Sequence, residues 1–185
     1  DDPAHYRANV AAYTASAPRV QRTKELLSGQ SASLAGRKEK IFGPALKEFA
    51  GQVASYRRGT LSLGDYAREL AAGAEAPPAL KTFLAALEME RSLDFKKVEA
   101  ERTVLVERLV KGLSQEGIQE LVRRSVAHRA GEIRYADFYG FLRATCRQAG
   151  VPLSEFPAME AYVRYVLLAD RIPAEKLFEE IRFLE

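Results

Sequence analysis

The sequence has little of the material from which most active sites are made. Cys146 is the only cysteine in 185 residues, which excludes an internal disulfide and a zinc site built on several thiolates. A lone thiol fits a reducing compartment, and a cytoplasmic location is the expectation. Histidine occurs twice, at His5 and His128, so a multi-histidine metal centre is excluded. There is no phosphate-binding glycine loop, Gly-x-Ser-x-Gly elbow or His-Glu-x-x-His pair. No apolar run approaches the ~20 residues that a membrane-spanning helix needs. The opening "DDPAHYRANV" lacks the basic start and apolar core of a signal peptide. Strand-like alternation and Asn-Gly hairpin signals are missing as well. Neither a cofactor nor a metal is called for.

An excess of one charge is also absent: 28 Lys/Arg face 25 Asp/Glu, a net +3. The balance is uneven, since residues 1–58 hold ten basic side chains against five acidic ones. Apolar residues make up 47% and charged residues 29%, which suits a soluble globular chain and argues against disorder. The first residue is not Met, and "EKLFEEIRFLE" stops without Gly, Asn or Pro. The chain is therefore expected to be a piece of a longer protein.

What is present is helical periodicity almost throughout. Tyr6, Tyr13, Val20, Leu27, Leu34 and Ile41 recur every seven residues, half of a coiled-coil seam. Pro18 and "LSGQSASLAG" interrupt it, so the spacing predicts a kinked helix to about Leu27, a break near 28–33 and a second helix after it. Pro44 suits a first helical turn and Gly59 a stop. Ser62 followed by Asp65 resembles a capping box, before a face of Leu63, Tyr66, Ala67 and Leu70. Pro78 starts a helix with Leu80, Phe83, Leu84 and Leu87 inward. "LDFKKVEAERTVLVERLVKGL" follows, with Phe95, Val98, Leu105, Val106, Leu109 and Val110 on its apolar side. Ser114 caps a helix carrying Ile118, Leu121, Val122 and Val126, which stops at Gly131. Phe138, Phe141, Leu142, Thr145 and Cys146 face inward from the next. Met159, Tyr162, Val163 and Val166 do so from "FPAMEAYVRYVLLADRI", and Leu177, Phe178, Ile181 and Leu184 from the last segment after Pro173. The fold class is all-α, a bundle of eight or nine helices.

The punctuation repeats. A shift of 72 matches Glu48/Glu120, Arg57/Arg129, Gly59/Gly131, Asp65/Asp137 and Leu70/Leu142. A shift of 79 matches Pro78/Pro157, Ala79/Ala158, Lys97/Lys176 and Glu101/Glu180. An internal tandem duplication is expected, because one amphipathic unit cannot cover its own apolar stripe. The expected organisation is a kinked helical arm (1–43), a first unit (44–113) and a second (114–185), the two units forming one compact domain.

Candidate chemistry is sparse. His128 reads as a helix-end residue favouring the dipole rather than a base, and His5 as surface. Cys146 has the spacing of a buried structural thiol. Glu99, Glu101, Glu179 and Glu180 flank apolar stripes as solvated side chains and lack the His partners of a di-metal bundle. Asp65 and Asp137 support helix starts. Tyr139, Tyr162, Tyr165, Leu167 and Leu168 cannot all face one core, so they mark either helices buried on two sides or an exposed docking face. Arg123, Arg124, Arg143, Arg147 and Arg164 interleave with aromatics, as nucleic-acid surfaces sometimes do, yet acidic neighbours balance them.

At "DDPAHYRANVAAY" and "FPAMEAYVRYVLLADRIPAEKLFEEI" the chain resembles helical regions of large uncharacterised bacterial proteins, where the helical part is associated with a core similar to the TraB/ChaN/erythromycin-esterase-like group. That resemblance implies an accessory helical domain; the group's catalytic residues would lie outside this chain and none is carried over. The expected role is a structural or protein-interaction module whose partner is another protein or another domain of the same polypeptide. The alternative is an accessory, lid or regulatory domain of an enzyme. Nucleic-acid binding through the basic N-terminal third is the least supported role and predicts steep salt dependence.

Overall fold

Proline at the first helical position and glycine just past the last one divide this chain into rods. The computed structural model describes residues 2–185. Among these residues nine helices follow one another: α1 (Pro3–Ile41), α2 (Pro44–Arg57), α3 (Leu63–Gly73), α4 (Pro78–Ser92), α5 (Phe95–Gly112), α6 (Gln115–Arg129), α7 (Tyr135–Gln148), α8 (Pro157–Ala169) and α9 (Ala174–Leu184). A 3-10 turn at Leu153–Glu155 precedes α8, and no strand occurs among the described residues. None of the described helices is long and apolar enough to cross a membrane. Packing divides the chain between Leu61 and Ser62, which places α2 with α1 and gathers α3 to α9 together. The sequence sets the expected first boundary at 43/44 instead, with α2 in the following unit.

In the first unit α1 is a single helix, without the break expected near 28–33. Gly29 costs only about 1 kcal/mol relative to Ala and a serine a few tenths. Good helix formers on either side outweigh them. The helix also passes through Pro18. Asp2 caps its start, accepting from the Ala4 N–H at 2.8 Å. None of its residues is buried. Lys47 of α2 forms an ion pair with Glu39 of α1.

The second unit is built around α8, which packs on α4, α5 and α7; α9 packs on α4 and α3, and α6 on α7. Met159, Val163 and Val166 of α8 join Val98, Leu105 and Leu109 of α5 and Phe138, Tyr139, Leu142 and Cys146 of α7 in the core. With neighbours on several sides, α8 needs apolar residues nearly all round, and between Ala158 and Ala169 only Arg164 is exposed. Other stripes are narrower than the sequence implied. Phe95, Val106 and Val110 of α5 are exposed, as are Val122 (55%) and Val126 (63%) of α6, because each of these helices has one principal neighbour.

Ser62 and Asp65 form the expected capping pair: the Asp65 N–H donates to Ser62 Oγ at 3.0 Å and the Ser62 hydroxyl donates to the Asp65 carboxylate at 2.6 Å. Ser114 accepts from the Gly117 N–H at 3.2 Å. Gly59 and Gly131 take φ +74° and +75°, closing α2 and α6 with the same pair of bonds. Thr60 N–H donates to Ser55 O and Glu132 N–H to Ala127 O, both at 2.9 Å. α4 and α8 lack a local side-chain cap. Instead the Leu80 N–H donates to Glu180 at 2.9 Å and the Met159 N–H donates to Glu101 at 2.8 Å. The two residues read as solvated flanks are thus half-buried caps reaching in from α9 and α5.

Candidate functional site

Chemistry-bearing side chains in the second unit are dispersed. Cys146 is buried in the core, and burial pushes its thiol up to about 11, away from nucleophilic character at neutral pH. His128, in the last turn of α6, stacks on Phe138 with ring centres 4.4 Å apart and meets the edge of Tyr135 at 4.6 Å. Its Nε2 is buried with no hydrogen-bond partner. Burial first, then the Arg102 guanidinium, lower its pKa. A neutral ring of this kind does not serve the helix dipole as a cation, contrary to the sequence-based expectation. Nor does it face a nucleophile: Ser125, one turn earlier, donates its hydroxyl to Leu121 O at 2.7 Å. His5 is exposed beside Asp2 at 3.0 Å.

The carboxylates are engaged in structural pairs. Glu99 pairs with Arg102. Asp65 is held below the ordinary range by its hydrogen bonds from Ser62 and Arg68, and Asp137 by its bond from Arg134. Glu179 is exposed. No cluster of three or more His, Cys, Asp or Glu among the described residues is arranged to hold a metal ion.

The five residues singled out as a docking face separate into three environments. Tyr139 is 2% exposed and belongs to the core. Tyr162 and Tyr165 are half-buried and line a cleft of about 440 Å³ with Phe95, Tyr135 and Glu90. Tyr162 crosses Tyr139 edge-on at 5.2 Å and Phe95 at 6.3 Å. Burial, then the neighbouring Tyr139, raises the pKa of Tyr162; burial, then Glu90, raises that of Tyr165. Both phenols are therefore neutral at physiological pH.

Leu167 and Leu168 lie elsewhere, in a cleft of about 310 Å³ whose other lining is Met89, Arg143, Arg164 and Arg171. Arg143 also lines a second cleft of about 490 Å³, formed by the end of α7 and residues 150–154 after it. The two recesses adjoin at that side chain. Arg164 is paired with Glu160 at 2.7 Å. The guanidinium groups of Arg143, Arg147 and Arg171 have no carboxylate or hydrogen-bond partner among the described residues. The basic residues noted in the sequence divide on this point, since Arg123 and Arg124 share Glu120 at 2.6 Å each. Arg124 also lies over the Phe141 ring at 4.4 Å. Arg171 carried no signal of its own in the sequence, because only the packing of α8 brings its end beside α7.

In the first unit the seven-residue row of α1 is open to solvent along its whole length, with Tyr6, Tyr13, Val20, Leu27, Leu34 and Ile41 between 48% and 76% exposed. No family model, no curated protein and no solved structure matches this chain.

Proposed function

We propose that this protein is a helical interaction module that binds another protein, or another domain of its own polypeptide, through α1. One observation carries the proposal: a 39-residue helix with no buried residue and a row of large apolar side chains at strict seven-residue spacing. Helices gain most of their stability from packing an apolar face, and a seven-residue repeat suits a second helix winding around the first. α1 holds seven Lys/Arg against two Asp/Glu, so pairing with its own copy would bring like charges together. An acidic partner helix relieves that repulsion.

Light scattering on the eluting protein should therefore give a monomer near 20.6 kDa. Hydrogen exchange across α1 should be fast in the isolated chain and slow once a partner binds, and the partner should be lost with L27D/L34D. A stable homodimer abolished by those substitutions would replace the acidic partner with a second copy. A partner that binds while α1 still exchanges freely would refute the proposal.

We also infer that the second unit contains two related copies facing each other about a pseudo-two-fold axis. The supporting pattern is reciprocal. Leu80 and Met159 are equivalent under the shift of 79, as are Glu101 and Glu180, and each glutamate caps the other copy's proline-led helix. The shift of 72 pairs Tyr66, Ala67 and Leu70 with Phe138, Tyr139 and Leu142, all buried. Such exchange of contacts is the signature of an isologous interface. An experimental structure should superpose residues 63–70 on 135–142 and 78–105 on 157–184 by a single rotation near 180°; superposition by translation alone, or none, would refute it.

A further inference from the structure

We propose that the groove between α7 and the C-terminal half of α8 docks an acidic polypeptide segment bearing leucine- or isoleucine-like side chains. Its floor is aliphatic, with Leu167, Leu168 and Met89 on one side of Arg143 and Val151 and Leu153 on the other, all half-buried. Its rim is cationic. Glu160 is the one carboxylate lining either recess, and Arg164 already occupies it. Arg143, Arg147 and Arg171 are left uncompensated among the described residues, so the complementary partner is an anion. A floor of this kind rewards apolar side chains, which fixes the partner as amphipathic. Arg143 and Arg147 stand one turn apart on α7, about 6 Å along the axis, matching carboxylates at i and i+4 of a partner helix.

Two other anionic partners fit less well. Single-stranded nucleic acid stacks its bases on aromatic rings, and these recesses have none in their lining. A lipid bilayer is engaged by side chains that protrude, whereas these leucines lie in a recess. The inference shares with the α1 proposal the premise that the protein binds polypeptides, but it rests on a different pair of helices.

The test is selection of random 15-residue peptides displayed on phage against the full chain, followed by fluorescence anisotropy with one enriched peptide. Enrichment of Asp/Glu together with Leu/Ile is expected. Affinity for that peptide should fall by about tenfold or more in R143E/R147E/R171E, whose substituted side chains are all exposed. It should also fall in Leu168→Ser and remain unchanged in L27D/L34D. The charge-reversed chain should in turn gain a peptide in which Lys replaces the acidic residues. A pool without acidic excess, or binding indifferent to the three arginines, overturns the site. Sensitivity to L27D/L34D alone would also overturn it and leave α1 as the binding surface. So would a 20-nucleotide single strand or a phosphatidylserine vesicle that binds through the three arginines while the peptides do not.

Discussion

Replacing Glu101 or Glu180 by alanine tests how the second unit is held together. α4 and α8 each begin with a proline behind an N-cap residue, Pro77 or Phe156, that contributes no side-chain acceptor. The N–H of the third residue of each helix, Leu80 or Met159, would then lack a partner, and a carboxylate from a distant helix supplies it at 2.9 Å (Glu180) or 2.8 Å (Glu101). Losing an N-cap acceptor costs about 1 kcal/mol. Losing a negative charge at the positive end of the helix dipole costs a further ~0.3–1 kcal/mol. Each variant should therefore lose about 1–2 kcal/mol. For a unit of this size that is a fall of roughly 3–10 °C in melting temperature. Glutamine keeps the acceptor and removes the charge, so Glu101→Gln and Glu180→Gln should recover more than half of the deficit. The gap between Glu and Gln should narrow as salt rises from 0.05 to 0.5 M, roughly the range over which such fields are screened. Circular dichroism during thermal and urea unfolding measures all of this. Alanine variants that melt within a degree of the parent would refute the trans-capping argument. So would Gln variants as damaged as Ala, or a large loss at one position with none at the other.

Three further outcomes are expected. Gly59→Ala and Gly131→Ala should each cost about 1–2 kcal/mol through the left-handed backbone alone, since nothing lies within 4 Å of an added Cβ; neutral substitutions would contradict the cap geometry. His128 is held below its ordinary value of 6.5, so the unfolded chain takes up that proton first. The stability it contributes is complete above about pH 6.5 and is lost as pH falls through the folded value. His128→Phe preserves the ring stack and should flatten the stability profile between pH 7 and 5, where Asp65 and Asp137 stay ionised; parallel profiles would refute this. Cys146 should resist a disulfide-exchange reagent at pH 8 in the folded protein and react fully in guanidinium, because only the unfolded chain exposes the thiol. Rapid reaction of the folded protein would sink that expectation.

The helices were legible because their signals are local. Ser62, Ser114, Pro78, Pro157, Gly59 and Gly131 each act within one turn of their own position, and each stands where a helix begins or ends. The break that the sequence suggests near 28–33 is absent for a related reason: Gly29 and its serine neighbours are weak singly, and the cooperative helix on either side of them carries through. Candidate-site residues were legible only in part. Tyr139, Tyr162, Tyr165, Leu167 and Leu168 stand out because they cannot all face one core. Their separation into core, tyrosine cleft and arginine groove depends on which neighbours surround α8. Val122 and Val126 show the converse, apolar spacing without a helix to cover it.

Periodicity and punctuation by themselves determined that the chain is all-α, where most of its rods begin and end, and that no multi-thiol or multi-histidine metal site lies within it. Those properties follow from side-chain spacing and backbone freedom over a few residues. Only the tertiary structure decided that α8 lies at the centre of its unit, that Glu101 and Glu180 cap helices 58 and 100 residues away, and that the side chains of Arg143, Arg147 and Arg171 are left without partners among the described residues. Contacts between distant segments depend on which faces meet in space, and spacing along one helix carries no record of its neighbour.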